Sequence, residues 1–279
     1  MKSFASKVAA ITGAGSGIGR ALALELAARG CHVALSDINA DSVAATAEEA
    51  RNKGVRATSH TVNVADRASV ETWAADVLQA HGQVNLVFNN AGVALASTVE
   101  DMKYEDLEWL MSINFWGVVY GTKSFLPHLK ASGDGHVINI SSLFGIMGVP
   151  TQGAYNAAKF AVRGFTESLR MELDMEGACV SATSVHPGGI KTNIARAARY
   201  DGPAMSKLGF GDADSSLSRF ERAFITSPEV AARTILRGVE TNARRVLIGP
   251  DAKALDLMVR LLPETYQRLV IVGARQSRR

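Results

Sequence analysis

A doubly wound α/β fold, with a parallel sheet of about seven strands and helices on both faces, is what this sequence predicts. Three observations lead there. Short Val/Ile/Leu-rich runs alternate with longer helical patterns along the chain. The runs are nearly continuous in apolar residues, which suits strands buried on both faces rather than a half-exposed sheet. Four glycines in seven residues, Gly13, Gly15, Gly17 and Gly19, join the first run to the first helical pattern.

Taken in order, the runs are KVAAIT (7–12), HVALS (32–36), QVNLVFN (83–89), HVINIS (136–141), CVSATSV (179–185) and RVLIG (245–249). A weaker candidate, VRATSHTV (55–62), alternates poorly and brings the expected count to seven. Helical patterns fall near 17–29, 41–53, 67–81, 104–131, 153–175 and 228–241, one after almost every strand, as parallel crossovers require. Residues 190–226 break the alternation with Ile194, Tyr200, Met205, Leu208, Phe210 and Phe220 among charges of both signs. So long an irregular stretch is expected to be functional or disordered. Residues 251–279 form a tail with its own apolar helical spacing.

The chain has 279 residues, 47% hydrophobic and 20% charged, enough for one sizeable core. No repeat or linker divides it, so 1–279 is expected to be a single domain. The net charge of +3 is too small to argue for nucleic acid. Cys31 and Cys179 stand in neither metal nor redox spacing and are expected as small core residues; no metal site is predicted. No signal-like segment or uncharged run of about 20 apolar residues occurs, so a soluble, cytoplasmic protein is expected.

The glycine turn does not fit G-x-G-x-x-G, because position 18 is Ile; it reads Gly13-x-x-x-Gly17-x-Gly19. The physical demands are the same: a tight turn, close backbone approach to a pyrophosphate, and a helix N-terminus presenting free N–H groups to the anion. Asp37 ends the second strand 18 residues after Gly19, near the offset of a carboxylate that receives ribose hydroxyls. A carboxylate there repels a 2′-phosphate, and neither Ser16 nor Ile38 supplies a compensating cation, which favours NAD over NADP.

Tyr155 and Lys159, in AYNAAK, stand at i, i+4 on one helix face. A neighbouring ammonium stabilises a phenolate, so the pair is a candidate proton carrier. INISS, thirteen residues upstream, ends a strand with Ser141 and Ser142, and NNAG (89–92) ends another, where ligands gather in open α/β sheets.

With Asn114 and Pro187-Gly188 these pieces resemble the classical short-chain dehydrogenase/reductase family, over about residues 5–192. The resemblance implies a Rossmann-type fold, a catalytic set of Asn114, Ser142, Tyr155 and Lys159, and hydride transfer between an alcohol and its ketone. Tyr155 exchanges the proton, Ser142 holds the substrate oxygen, Lys159 binds the nicotinamide ribose and lowers the Tyr155 pKa, and Asn114 holds a water leading to Lys159. The implied cofactor contacts are Gly13, Ser16, Gly17, Ile18, Gly19, Asp37, Asn63, Val64, Asn90, Ala91, Gly92, Pro187, Gly188, Ile190 and Thr192, together with Tyr155 and Lys159. Asn63 is a departure, since the family usually has Asp there. Ser141 is the weaker serine, because adjacent strand residues face opposite sides. His186 is expected to pack or hydrogen-bond locally rather than act in catalysis. The 190–226 segment corresponds to the family's substrate lid, and homodimers or homotetramers through the helices near 104–131 and 153–175 are the usual assembly.

LFGIMGVP after Ser142 and VALAST after Gly92 are both apolar and are expected to border the substrate, favouring a lipophilic alcohol or ketone. Arg196 and Arg199 suggest an anionic group, although solvated lid arginines are the preferred reading. The tail holds six Lys/Arg and three Asp/Glu. It reads as packing on its own core or a neighbouring subunit, or else as a weak contact with a membrane surface. The alternatives to an NAD-dependent alcohol/ketone oxidoreductase are an NADP-dependent carbonyl or 3-oxoacyl reductase and a non-catalytic dinucleotide sensor. Asp37 speaks against the first, and the presence of Ser142, Tyr155 and Lys159 against the second.

Overall fold

A computed structural model describes residues 1–207 and 224–276. The strands are β1 (Val8–Thr12), β2 (His32–Asp37), β3 (Ala57–Thr61), β4 (Leu86–Asn89), β5 (Leu95–Ala96), β6 (Gly135–Ile140), β7 (Val180–Pro187), β8 (Arg199–Tyr200) and β9 (Arg245–Ile248). Seven of them form one parallel sheet in the order β3-β2-β1-β4-β6-β7-β9, and the weak 55–62 run supplies its edge. The two-residue strands β5 and β8 pair separately.

Both sheet faces are covered, as the continuous apolar runs require. Ala9, Ile11, Val33, Leu35 and Phe88 pack under α1 (Gly17–Ala28), α2 (Ala40–Arg51) and Ala231–Val239 of α8 (Pro228–Glu240). The intervening Ala10, Ala34, Val87 and Val137 pack under α3 (Arg67–His81), α5 (Gly117–Ala131) and α6 (Gly153–Met175). There Trp73 meets Phe125 edge-on, with ring centroids 5.1 Å apart, a pairing worth about 0.5–1.5 kcal/mol beyond its burial. β1 lies between β2 and β4, so the chain reverses direction across the sheet at that point and leaves a crevice at the strands' C-terminal ends.

Three expectations are corrected. The helix expected over 104–131 is broken into α4 (Tyr104–Met111), a π-helical turn at Ser112–Trp116 and α5; such turns recur at functional sites, and this one carries Asn114. Cys31 is buried, but Cys179 is exposed just ahead of β7. The 190–226 stretch contains β8 and α7 (Gly202–Lys207); Leu208, Phe210 and Phe220 lie outside the described residues. The tail forms α9 (Pro250–Leu261) and α10 (Tyr266–Gln276). Among the described residues no helix is long and apolar enough to cross a membrane, and no group of three or more His, Cys, Asp or Glu could hold a metal ion.

Candidate active site

A cavity of about 850 Å³ follows the crevice from Asp37 at the end of β2, past β1 and β4, to Ser142 beyond β6. Every residue of the expected catalytic and cofactor-contact sets lines it except Gly19 and Asn114.

At the β1 end the wall is largely backbone. Gly13 and Gly17 take the left-handed φ values of +64° and +53°, which side chains disfavour. Gly19 does not face the cavity: a Cβ there would come within 2.2 Å of the Gly13 carbonyl oxygen, so it lets α1 approach the turn. α2 and α3 are capped by the Asn39 and Asp66 side chains, whereas Ser16 makes no side-chain cap to α1 and no acid stands in the first turn. The N–H groups that begin α1 are therefore left for an anion. Asp37 closes the turn: one carboxylate oxygen accepts from Gly15 N–H at 2.9 Å, the other from Asn39 N–H at 3.0 Å. That fixes its orientation and leaves lone pairs for a diol. Asn63 accepts from Ala65 N–H, which leaves its NH₂ for a ligand. These features fit a dinucleotide.

The β4 end is tied to β1. Thr12 Oγ1 accepts from the N–H groups of Asn90 and Ala91 at 2.9 and 3.0 Å, and Asn90 Nδ2 donates to Thr12 O. Asn114 pairs with both backbone groups of Val93 at 2.8 Å. Its amide thus anchors the loop after β4 from behind. A Cβ on Gly92 would stand 3.2 Å from Asn114 Oδ1 and 3.6 Å from Lys159 Nζ, so this glycine lets the two groups close up around it.

Helix spacing brings Tyr155 and Lys159 to the cavity together. The Lys159 ammonium lies 5.5 Å from the Tyr155 ring centroid, is buried, and donates to Ile140 O at 3.0 Å. Ser142 accepts from Phe144 N–H, while Ser141 turns the other way and donates to Lys159 O, which separates the two serines as strand geometry predicts. Burial pushes the Tyr155 phenol up to about 12, against the opposing pull of its hydrogen bond with Ser142. Burial also brings Lys159 down to about 8. The net shift of Tyr155 is thus upward rather than the expected lowering: desolvation outweighs the Ser142 hydrogen bond, and the phenol keeps its proton at neutrality.

Other contacts around the site could not be read from the sequence. His186 is buried and held locally, as expected, but one of its partners is the Ser142 carbonyl, 3.0 Å from Nδ1. A carbonyl only accepts, so Nδ1 carries the proton and Nε2 accepts from Ser184 Oγ. Burial lowers the imidazole to about 4, so it stays neutral. Asp251, in the first turn of α9, accepts from Gly189 N–H at 2.7 Å. A Cβ on Gly188 would lie 2.1 Å from it, and one on Gly249 2.3 Å. Only the glycine pairing hinted at this contact. Trp109 of α4 lines the cavity and is covered by Arg199, whose guanidinium stands 3.7 Å over the ring and bonds Asp106 at 2.6 Å. Arg199 therefore ties β8 to α4 and is not simply solvated.

The substrate-side expectations narrow. Of LFGIMGVP only Leu143 and Phe144 reach the cavity, and of VALAST only Val93 and Ala94. Met147 and Val149 instead pack with Leu143 and Phe144 under Tyr266, Leu255, Met258 and Val270 of the tail, and Tyr266 Oη accepts from Gly148 N–H. Ile194, Phe224 and Leu255 complete an apolar wall.

Comparison with known proteins agrees with this geometry. The family model described as short chain dehydrogenase matches residues 7–202. The chain belongs to the short-chain dehydrogenase/reductase family. Within it, SadH of Mycobacterium tuberculosis is 48% identical over 98% of this chain and 97% of its own. A short-chain dehydrogenase/reductase from Burkholderia phymatum, solved in complex with NAD, superposes with a TM-score of 0.86 at 30% identity, covering 96% of this chain and 97% of that one. The alcohol dehydrogenase of Thermococcus sibiricus, complexed with 5-hydroxy-NADP, gives a TM-score of 0.72 at 25% identity, covering 87% and 95%. The family-model match ends before the tail that supplies Asp251, Leu255 and Tyr266.

Proposed function

We propose that this short-chain dehydrogenase/reductase is NAD-dependent and interconverts a hydrophobic secondary alcohol and its ketone. The observation that carries the reading is that Ser142, Tyr155 and Lys159 meet on the same cavity that Asp37 and the open end of α1 line, with an apolar wall beyond them. When bound, the nicotinamide dinucleotide supplies or takes up the hydride. Gly13, Ser16, Gly17 and Ile18 hold its pyrophosphate, and Asp37 takes the adenosine ribose. Asn63 and Val64 flank the adenine, Asn90, Ala91 and Gly92 pass beside the ribose, and Pro187, Gly188, Ile190 and Thr192 border the nicotinamide. Ser142 donates to the substrate oxygen, and Tyr155 gives that oxygen its proton in reduction or takes it in oxidation. Lys159 holds the nicotinamide ribose and faces the phenol with positive charge. Asn114 positions the Gly92–Val93 loop.

Support for NAD is the Asp37 carboxylate, which would stand against a 2′-phosphate without a compensating cation. Support for a lipophilic substrate is the wall of Trp109, Phe144, Ile194, Phe224 and Leu255. We place the enzyme in the cytoplasm as a homodimer or homotetramer. The chain acts as a single catalytic domain, with 190–226 as its lid and 251–279 as an extension.

The test is reduction of NAD and of NADP by purified protein over a panel of lipophilic secondary alcohols, with Tyr155→Phe alongside. NADH formation that disappears in the variant is the expected result. Preference for NADP would overturn the reading of Asp37. Tight NAD binding without turnover on any alcohol, or on the matching ketones with NADH, would point to a sensor.

A further inference from the structure

α9 and α10 pack their inner faces on the loop after Ser142, burying Tyr266 and half-burying Leu255, Met258, Val259 and Val270. A helix laid on a protein surface ordinarily turns a polar face outward. Here the outer face is apolar as well. Leu257, Leu261 and Leu262 of α9 and its end are 57%, 70% and 39% exposed, and Leu269, Ile271 and Val272 of α10 are 50%, 43% and 52% exposed. Six large aliphatics on two consecutive helices are more than scattered surface residues.

Their charged neighbours are cations. Lys253, Leu257, Arg260 and Leu261 stand at i, i+4, i+7 and i+8, and Arg268, Ile271, Val272 and Arg275 at i, i+3, i+4 and i+7, so each stripe mixes aliphatics with exposed basic residues. The acids are differently placed. Asp256 is buried between Arg245 and Arg260, and Asp251 is bonded to Gly189, which leaves Glu264, in the connection between the two helices, as the exposed acid.

We propose that the outer face of α9 and α10 docks on an anionic lipid surface. Aliphatics sink into the headgroup boundary while arginine stems let guanidinium groups reach phosphates. A second copy is the poorer occupant, because a two-fold contact sets the same cations against one another. A copy also has another apolar surface to use, around Trp116, Phe160 and Met171. The inner side of α9 places Leu255 on the cavity wall, so the docked face and the cavity share one helix. The proposal does not rest on the activity.

The experiment is flotation of the full chain with vesicles of phosphatidylcholine alone and of equal parts phosphatidylcholine and phosphatidylglycerol, at low and high salt. Expected is binding to the anionic vesicles that salt weakens, a loss of about fivefold in partitioning for each of Arg268→Gln and Arg275→Gln, and loss of binding in Leu261→Asp/Val272→Asp. Circular dichroism and dinucleotide affinity of these variants should match the parent. Absence of binding to anionic vesicles overturns the proposal. If self-association is then also lost in Leu261→Asp/Val272→Asp, the face belongs to a second copy.

Discussion

Around the glycine turn the cavity is walled by backbone, with Gly13, Gly17, the N–H groups of α1 and one carboxylate, Asp37, pinned by two N–H groups. Beyond Ser142 it is walled by side chains from separate segments: Trp109 of α4, Phe144, Ile194, Phe224 and Leu255 of α9. Backbone can hold only what all such ligands share, a phosphate and a sugar, so its requirements are local and strict. Side chains shape the part that differs between substrates, and they are drawn from wherever the fold brings them.

Substitutions at the two ends should therefore separate cleanly. The largest effect is expected for Tyr155→Phe, with turnover falling roughly 10²–10⁴-fold and dinucleotide affinity, read by fluorescence titration, falling far less. The same residue sets a pH dependence. Alcohol oxidation needs the phenolate, and burial pushes the phenol up to about 12, so initial rates of oxidation should climb with pH from neutrality into the alkaline range. Ketone reduction needs the protonated form and should not climb with them.

Next in size is Asp37→Ala, expected to weaken NAD roughly 10- to 100-fold, the worth of charge-assisted hydrogen bonds, and to erase discrimination against NADP. Titration of both dinucleotides reads this directly, and an unchanged preference would break the comparison at its front end. Gly19→Ala forces a methyl toward Gly13 O and should lower unfolding free energy by about 1–3 kcal/mol, measured by urea denaturation. The smallest effect is expected for Tyr266→Phe. Gly148 N–H loses its acceptor, at about 1 kcal/mol, and KM for lipophilic substrates should rise while NAD affinity holds. A fall in NAD affinity there would mean that the two ends are coupled.

The same division decides what could be read in the sequence. Gly13, Gly17 and Asp37 announce themselves because a tight turn and a fixed strand offset tolerate few residue types. Tyr155 and Lys159 are legible because helix geometry alone puts i and i+4 together. The seven-strand sheet followed from apolar runs that have to be buried on both faces. Asp251 could not be found that way. It meets Gly189 across 62 positions, and its trace in the sequence is the absence of side chains at Gly188 and Gly249. The π-turn at Asn114 was hidden too, since five residues within a long helical pattern are too few for a shifted apolar period to register. Spacing reveals the cation beside Tyr155 but not the burial that shifts both groups.

The bond from Asp251 to the Gly189 N–H also orders events in time. Translation delivers the glycine turn, Asp37 and the Tyr155 helix well before residue 251. A nascent chain stopped short of that point already holds the loop between Pro187 and Thr192 by Gly188 N–H on Ile248 O and by the backbone pairing of Thr226 with Gly189 and Lys191, but it lacks the carboxylate on Gly189 N–H. The last fastening of that loop thus arrives late in synthesis, after every other residue that lines the cavity except Leu255.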